Sequence, residues 1–166
     1  LEPCLSGWLG HENPFDFSLQ YNPASGIDRM RVGTPPVIAL AALEASLDIW
    51  ETVNIKDVRE TSIQLTDQFI KGVEQKCPML QLITPRIPEN RGSQVSFSFK
   101  HGYAVMQACI ERGVIGDFRA PDVMRFGFTP LFVDSQDVER ATEILAEIMS
   151  KDLWNDPKFQ KRNKVT

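Results

Sequence analysis

The sequence predicts an α+β fold: a small antiparallel or mixed sheet covered by helices on one face, preceded by a long loop segment and a connecting helix. Three observations predict it. Helical periodicity recurs in four separate stretches, residues 94–100 alternate polar and apolar, and residues 113–131 read as two short strands about an Ala-Pro-Asp turn. The order is loop, two helices, two strands, helix, two strands, helix. A doubly wound sheet needs regular strand–helix alternation, which this order lacks.

Residues 1–33 show no sustained periodicity and are rich in turn formers such as Asn13-Pro14, Asn22-Pro23 and Ser25-Gly26. So long a loop is expected to be functional or to lean on another part of the structure. The first helix is expected after Gly33, with Thr34 as N-cap, Pro35 in the first helical position, and Val37, Leu40, Leu43, Leu47 and Trp50 at helical spacing. A second helix is predicted over residues 57–76, with Val58, Leu65, Phe69 and Val73 on one face, stopped by Cys77-Pro78. Residues 80–84 read as a short strand and 85–92 as a loop. In the strand at 94–100, Val95, Phe97 and Phe99 share one side, and Gln94, Ser96 and Ser98 the other. A helix over 103–112 ends at Gly113. Strands at 114–118 and 123–127 form a hairpin. The last helix begins near Asp134, with Asp137 three residues on in a near-capping-box arrangement and Val138, Ala141, Leu145 and Ile148 as its apolar stripe. The polar tail, 155–166, is expected to fray.

A chain of 166 residues suits one domain and can bury roughly 70% of the surface its unfolded form exposes. No apolar run approaches the ~20 residues of a membrane span, and no signal-peptide pattern opens the chain. A net charge of −4 argues against a nucleic-acid partner. Three widely spaced cysteines, Cys4, Cys77 and Cys109, do not make a disulfide framework and fit a reducing, cytoplasmic setting. Neither histidine, His11 or His101, has metal-ligand spacing around it, so no metal site is expected. The chain opens on Leu1 and runs at once into the dense motif Ser6-Gly7-Trp8-Leu9-Gly10-His11, so it looks cut from something longer.

Arg125 sits inside an apolar strand, flanked by Met124 and Phe126, with Phe128 following on their face. Its guanidinium cannot shed its charge and presents a rigid fork of donors, so it needs an anion. Two readings stand open: a structural pair with Asp117 or Asp122, or capture of a ligand carboxylate. Arg31-Val32-Gly33-Thr34-Pro35-Pro36 reads either as a plain helix start or as an anion site. Because the two prolines delete two amide donors, such a site would rest chiefly on the Thr34 hydroxyl. Trp8, between two glycines, either packs in a core or donates its indole N–H to an anion. His11 and His101 read first as structural hydrogen-bonding residues. No nucleophile–base triad and no phosphate-cradling Lys-Ser/Thr loop occurs. The residues offer anion-binding pieces without the group that performs chemistry.

Gly7-Trp8-Leu9-Gly10-His11, Gly33-Thr34-Pro35-Pro36, Arg91-Gly92-Ser93-Gln94-Val95-Ser96, His101-Gly102-Tyr103-Ala104-Val105-Met106-Gln107 and the block from Gly113 to Leu131 together resemble kynureninase, the bacterial type in particular, in order over about residues 6–150. The resemblance implies the C-terminal portion of a pyridoxal-phosphate (PLP) enzyme of the aspartate-aminotransferase fold type I. Such enzymes hydrolyse L-kynurenine to anthranilate and L-alanine in tryptophan catabolism, on the kynurenine pathway towards NAD biosynthesis, and act as homodimers. On this view residues 1–33 are the end of the cofactor domain, 34–154 the connecting helix and small C-terminal domain, and 155–166 a polar tail.

By the same resemblance, Arg125 is the arginine that grips the substrate α-carboxylate. Trp8 and Thr34 are the residues that reach across the dimer to the cofactor phosphate, and Thr34 also lies near the substrate's aromatic ring. Threonine there resembles the bacterial pattern and leans towards kynurenine over its 3-hydroxylated form. The family's Schiff-base lysine, and the aspartate that pairs with the pyridine nitrogen, lie upstream of the Trp8 motif, and no lysine occurs here before Lys56. The 166 residues alone are therefore expected to be inactive. Two other readings remain: a non-catalytic binding or dimerisation module, and a fragment of another enzyme of the same fold type, such as a cysteine desulfurase.

Overall fold

The computed structural model describes residues 4–161, and the end of the polar tail, residues 162–166, lies outside them. The described residues fall into two compact units that meet at Val53 and Asn54. The helix after Gly33 groups with the loop segment in the first of these units.

In the first unit, short 3-10 turns at Trp8–Gly10 and Gly26–Met30 are joined by an irregular chain. Backbone hydrogen bonds hold it: the Glu12 amide donates to Asn22 O (2.7 Å) and the Ala24 amide to Gly10 O (2.9 Å). The Tyr21 hydroxyl donates to the same Gly10 carbonyl at 3.0 Å. Helix α1 spans Val37–Trp50, and Pro36, not Thr34, holds the cap position, without a side-chain cap. The cause is local. The α region is disfavoured for a residue that precedes proline, so Pro35 does not begin the helix in front of Pro36. The expected stripe of α1, from Val37 through Leu43 to Trp50, is exposed along its length, and Ile38 beside it is 88% exposed. Gly10 is the one buried residue between 4 and 53.

The second unit is the predicted α+β arrangement. Helix α2 (Ile55–Lys76) starts two residues earlier than its periodicity suggests, because Asn54 caps it by accepting from the Lys56 amide (2.9 Å). Strands β1 (Gln81–Leu82), β2 (Gln94–Ser98), β3 (Asp117–Arg119) and β4 (Val123–Gly127) form one sheet in the order β1-β2-β4-β3. Every pairing is antiparallel, which resolves the antiparallel-or-mixed alternative. Strand β1 keeps two of the five expected residues. Strand β3 forms later than expected, after irregular Val114–Gly116, and meets β4 in the predicted hairpin. Helices α3 (Gly102–Glu111) and α4 (Ser135–Ser150) complete the main elements, and α4 opens with the full capping box of Asp134 and Asp137.

Alternation sorts the sheet into two faces. Val95, Phe97, Met124 and Phe126 point into a core closed by Leu65, Phe69 and Val73 of α2, Val105, Met106 and Cys109 of α3, and Val138, Leu145 and Ile148 of α4. Phe69 is its centre: its ring lies 5.0 Å from Phe126, 5.1 Å from Phe128 and 6.1 Å from Phe97. Cys77 and Cys109 are buried free thiols, whereas Cys4 is exposed. Burial pushes the Cys77 pKa up to about 11 and that of Cys109 to about 12. The described part of the tail carries secondary structure. A short helix α5 (Pro157–Gln160), capped by Asp156, buries Phe159 in the core, so a single aromatic residue pins a stretch that was expected to fray.

Among the described residues no helix is long and apolar enough to cross a membrane.

Candidate functional site

The other face of the sheet is polar and part-exposed, and Arg125 stands in the middle of it. In register it lies between Ser96 of β2 and Asp117 of β3. Its side chain is 29% exposed, so it stands at the surface of the sheet and not in the phenylalanine core around its neighbours. Gly116 fixes this approach, since a Cβ there would meet the Arg125 carbonyl oxygen at 2.6 Å and the Met106 methyl at 2.8 Å.

Of the two aspartates that can pair with Arg125, the structure selects Asp117. Arg125 Nε donates to Asp117 Oδ1 at 2.6 Å, and Nη2 donates to Oδ2. The pair is charge-assisted and bidentate. It holds the Asp117 carboxyl below the usual carboxylate range, chiefly through this hydrogen bond, and raises the Arg125 pKa by the same contact. Arg119 adds a second cation, with Nη2 3.4 Å from Asp117 Oδ2. The cluster of Arg119, Arg125 and Asp117 therefore carries one surplus positive charge. Asp117 occupies the side of the guanidinium formed by Nε and Nη2. Among the described residues no hydrogen bond engages Nη1, so the fork of Nη1 and Nη2 stays open to a second carboxylate.

Arg91 makes a useful contrast. It opens one of the blocks that carry the family resemblance, yet its side chain is 1% exposed. It donates to Asp67 and to the Arg86 carbonyl, tying α2 to the loop ahead of β2. That arginine is structural.

Trp8 and Thr34 belong to the first unit. The Gly7 backbone lies directly against Val32, where a Cβ would meet the Val32 carbonyl oxygen at 1.7 Å, so only glycine fits. That contact brings the Trp8 motif beside the strand of chain leading to Thr34. Trp8 is 48% exposed and packs edge-on against Phe15, with ring centroids 5.5 Å apart. It lines an open cavity of about 470 Å³ with His11, Phe15 and Tyr21. Thr34 is exposed. Among the described residues neither the Trp8 indole N–H nor the Thr34 hydroxyl has a hydrogen-bond partner. His11 instead serves the loop, accepting from the Asn13 amide at Nδ1 (2.9 Å) and donating from Nε2 to Gln20 O (3.1 Å). His101 stacks on Trp154 with centroids 4.6 Å apart.

The fold has close counterparts. The cysteine desulfurase of Thermococcus onnurineus NA1 superimposes with a TM-score of 0.72 at 18% identity, over 90% of this chain and 40% of that one. The cystine C-S lyase C-DES, solved with its product cysteine persulfide, gives 0.69 at 20% identity over 87% and 38%. At such identities the likeness is one of fold alone, shared with a part of each of these two enzymes. The sequence narrows the class. A family model for the kynureninase C-terminal domain matches residues 58–145, and the chain belongs to the kynureninase family. Kynureninase of Pseudomonas fluorescens is 47% identical over 164 residues, 98% of this chain and 39% of that protein. Kynureninase of Burkholderia mallei (strain SAVP1) is 44% identical over 167 residues, 99% of this chain and 40% of that protein. The chain thus spans about two fifths of the length of these curated relatives.

Proposed function

We propose that this chain is the C-terminal part of an enzyme that hydrolyses L-kynurenine to anthranilate and L-alanine with pyridoxal phosphate, as a homodimer. The observation that carries the reading is the open Nη1–Nη2 fork of Arg125 on a kynureninase C-terminal domain. In this role Arg125 takes the substrate α-carboxylate end-on while Asp117 keeps the side of the guanidinium. The surplus positive charge of the cluster favours an anionic ligand there. Holding the carboxylate fixes the amino-acid end of the substrate, so the reacting side chain is presented in one orientation.

The donor set of the first unit suits the cofactor phosphate. Trp8 and Thr34 are exposed residues whose side-chain donors have no hydrogen-bond partner among the described residues, and neither is a group that competes for protons. In this reading they contact the phosphate bound by the other subunit, and Thr34 also borders the substrate ring. The cofactor, when bound, supplies the electron sink for cleavage of the side chain. This chain's residues supply grip and orientation, and the 166 residues alone are expected to release no anthranilate.

The test is made in the full-length enzyme. Arg125→Ala is expected to raise KM for kynurenine at least 10-fold, or to abolish turnover, with the cofactor absorbance retained. Thr34→Val is expected to weaken cofactor retention instead. Normal turnover of the Arg125 variant, or loss of cofactor from it, would overturn the carboxylate role.

A further inference from the structure

We propose that Asp117 is the positioning residue of the carboxylate grip: it clamps one side of Arg125 so that the other is aimed, unoccupied, at the ligand. The inference rests on the reading of Arg125 just given and extends it to a residue with no assigned role.

Four observations carry it. Asp117 and Arg125 are direct partners across β3 and β4, so their side chains share the polar face of the sheet. The contact uses Nε and Nη2, the side-on edge, and leaves Nη1 and the second Nη2 hydrogen for a ligand. A carboxylate that competed with substrate would occupy that end-on fork instead. The approach is rigid, because Gly116 sets the chain before Asp117 against the Arg125 backbone at a distance no side chain tolerates.

The fourth observation is charge. Arg119 stands 3.4 Å from Asp117, so a bound carboxylate brings the cluster to two anions and two guanidinium groups. The site is therefore neutral when occupied, and Asp117 need not leave for the ligand to enter. Without the clamp, the long arginine side chain must be ordered at the moment of binding, and that cost falls on affinity.

The test uses the full-length, cofactor-loaded enzyme and two amines that differ only in the carboxylate, L-alanine and ethylamine, with binding read from the change in cofactor absorbance. Asp117→Ala is expected to weaken L-alanine by about 10- to 100-fold and leave ethylamine unchanged. The near-isosteric Asp117→Asn, which keeps the shape and loses the charge, is expected to fall between that variant and the wild type. For kynurenine, KM should rise by more than kcat falls. Unchanged or tighter L-alanine binding in both variants would mean that Asp117 is a bystander or a competitor. An equal loss of ethylamine would mean general damage, and either result overturns the proposal. Arg125→Ala separates the two readings. If it binds L-alanine normally, the carboxylate role of Arg125 falls and the clamp with it. If it loses L-alanine while the Asp117 variants do not, only the clamp falls.

Discussion

Residues 4–53 and residues 54–161 are built on different principles, although one chain makes both. The second unit closes a continuous apolar core around Phe69, with three helices on one face of a sheet. The first buries a single residue, Gly10, and is held by backbone and ring hydrogen bonds, while Val37, Ile38, Leu43 and Leu47 of α1 face outwards. Burial of apolar area is the main stabilising term in folding, so the two units differ in what keeps them folded. The lesson is that a helical stripe records a need for burial without saying what meets it. The stripe of α2 is met within its own unit, whereas that of α1 is exposed.

Truncation of matched side chains separates the two units. Phe69→Ala removes the centre of the core and is expected to cost ~3–5 kcal/mol. Leu43→Ala, on a side chain already 53% exposed, should change stability by less than ~1 kcal/mol. Urea unfolding of the two variants reads the difference, and equal losses would mean that α1 is as well packed as α2.

The helix starts of the two units differ in the same way. Asp134 accepts from the amides of Gln136 and Asp137, so Asp134→Ala should cost ~1 kcal/mol. Thr34 caps nothing, and Thr34→Ala should stay within ~0.5 kcal/mol of the parent in the same measurement.

The smallest effect expected is that of pH. Asp117 is more acidic in the folded state, so the stability it contributes is complete above the unfolded carboxyl range, near ~4, and is lost as pH falls through its lowered folded value. The pair is part-exposed, which keeps the contribution small. The gap in urea midpoint between the parent and Asp117→Asn should therefore be present at pH 7 and shrink towards pH 2. A gap of constant size would show that the ion pair is not its source.

Much of the second unit was legible because its signals are local. The alternation of Val95, Phe97 and Gln94, Ser96 marks β2, and Asp134 with Asp137 marks the start of α4 within a residue. What was not legible depends on distant partners. The pairing of β2 with β4 joins segments about thirty residues apart, and no short window holds it. Phe159 is one aromatic residue in a polar stretch, with no periodicity to announce its burial. The later start of α1 has a local reason that propensity alone overlooks: Pro35 suits a first helical turn, but Pro36 after it disfavours the conformation. At the candidate site the need of Arg125 for an anion was legible, and so were both candidate aspartates. The choice of Asp117, and the edge of the guanidinium it takes, follow from the hairpin register, which sequence does not fix.

The placement of the three thiols has a practical consequence. Cys77 and Cys109 are enclosed, and burial keeps both protonated far above neutral pH, so neither offers a thiolate to an alkylating reagent. Cys4 is exposed, three residues from the glycine that packs against Val32. The chain therefore carries one natural attachment point for a fluorophore or spin label. It lies beside the Trp8 motif, so a dye placed there watches the loosely built unit and leaves the core untouched.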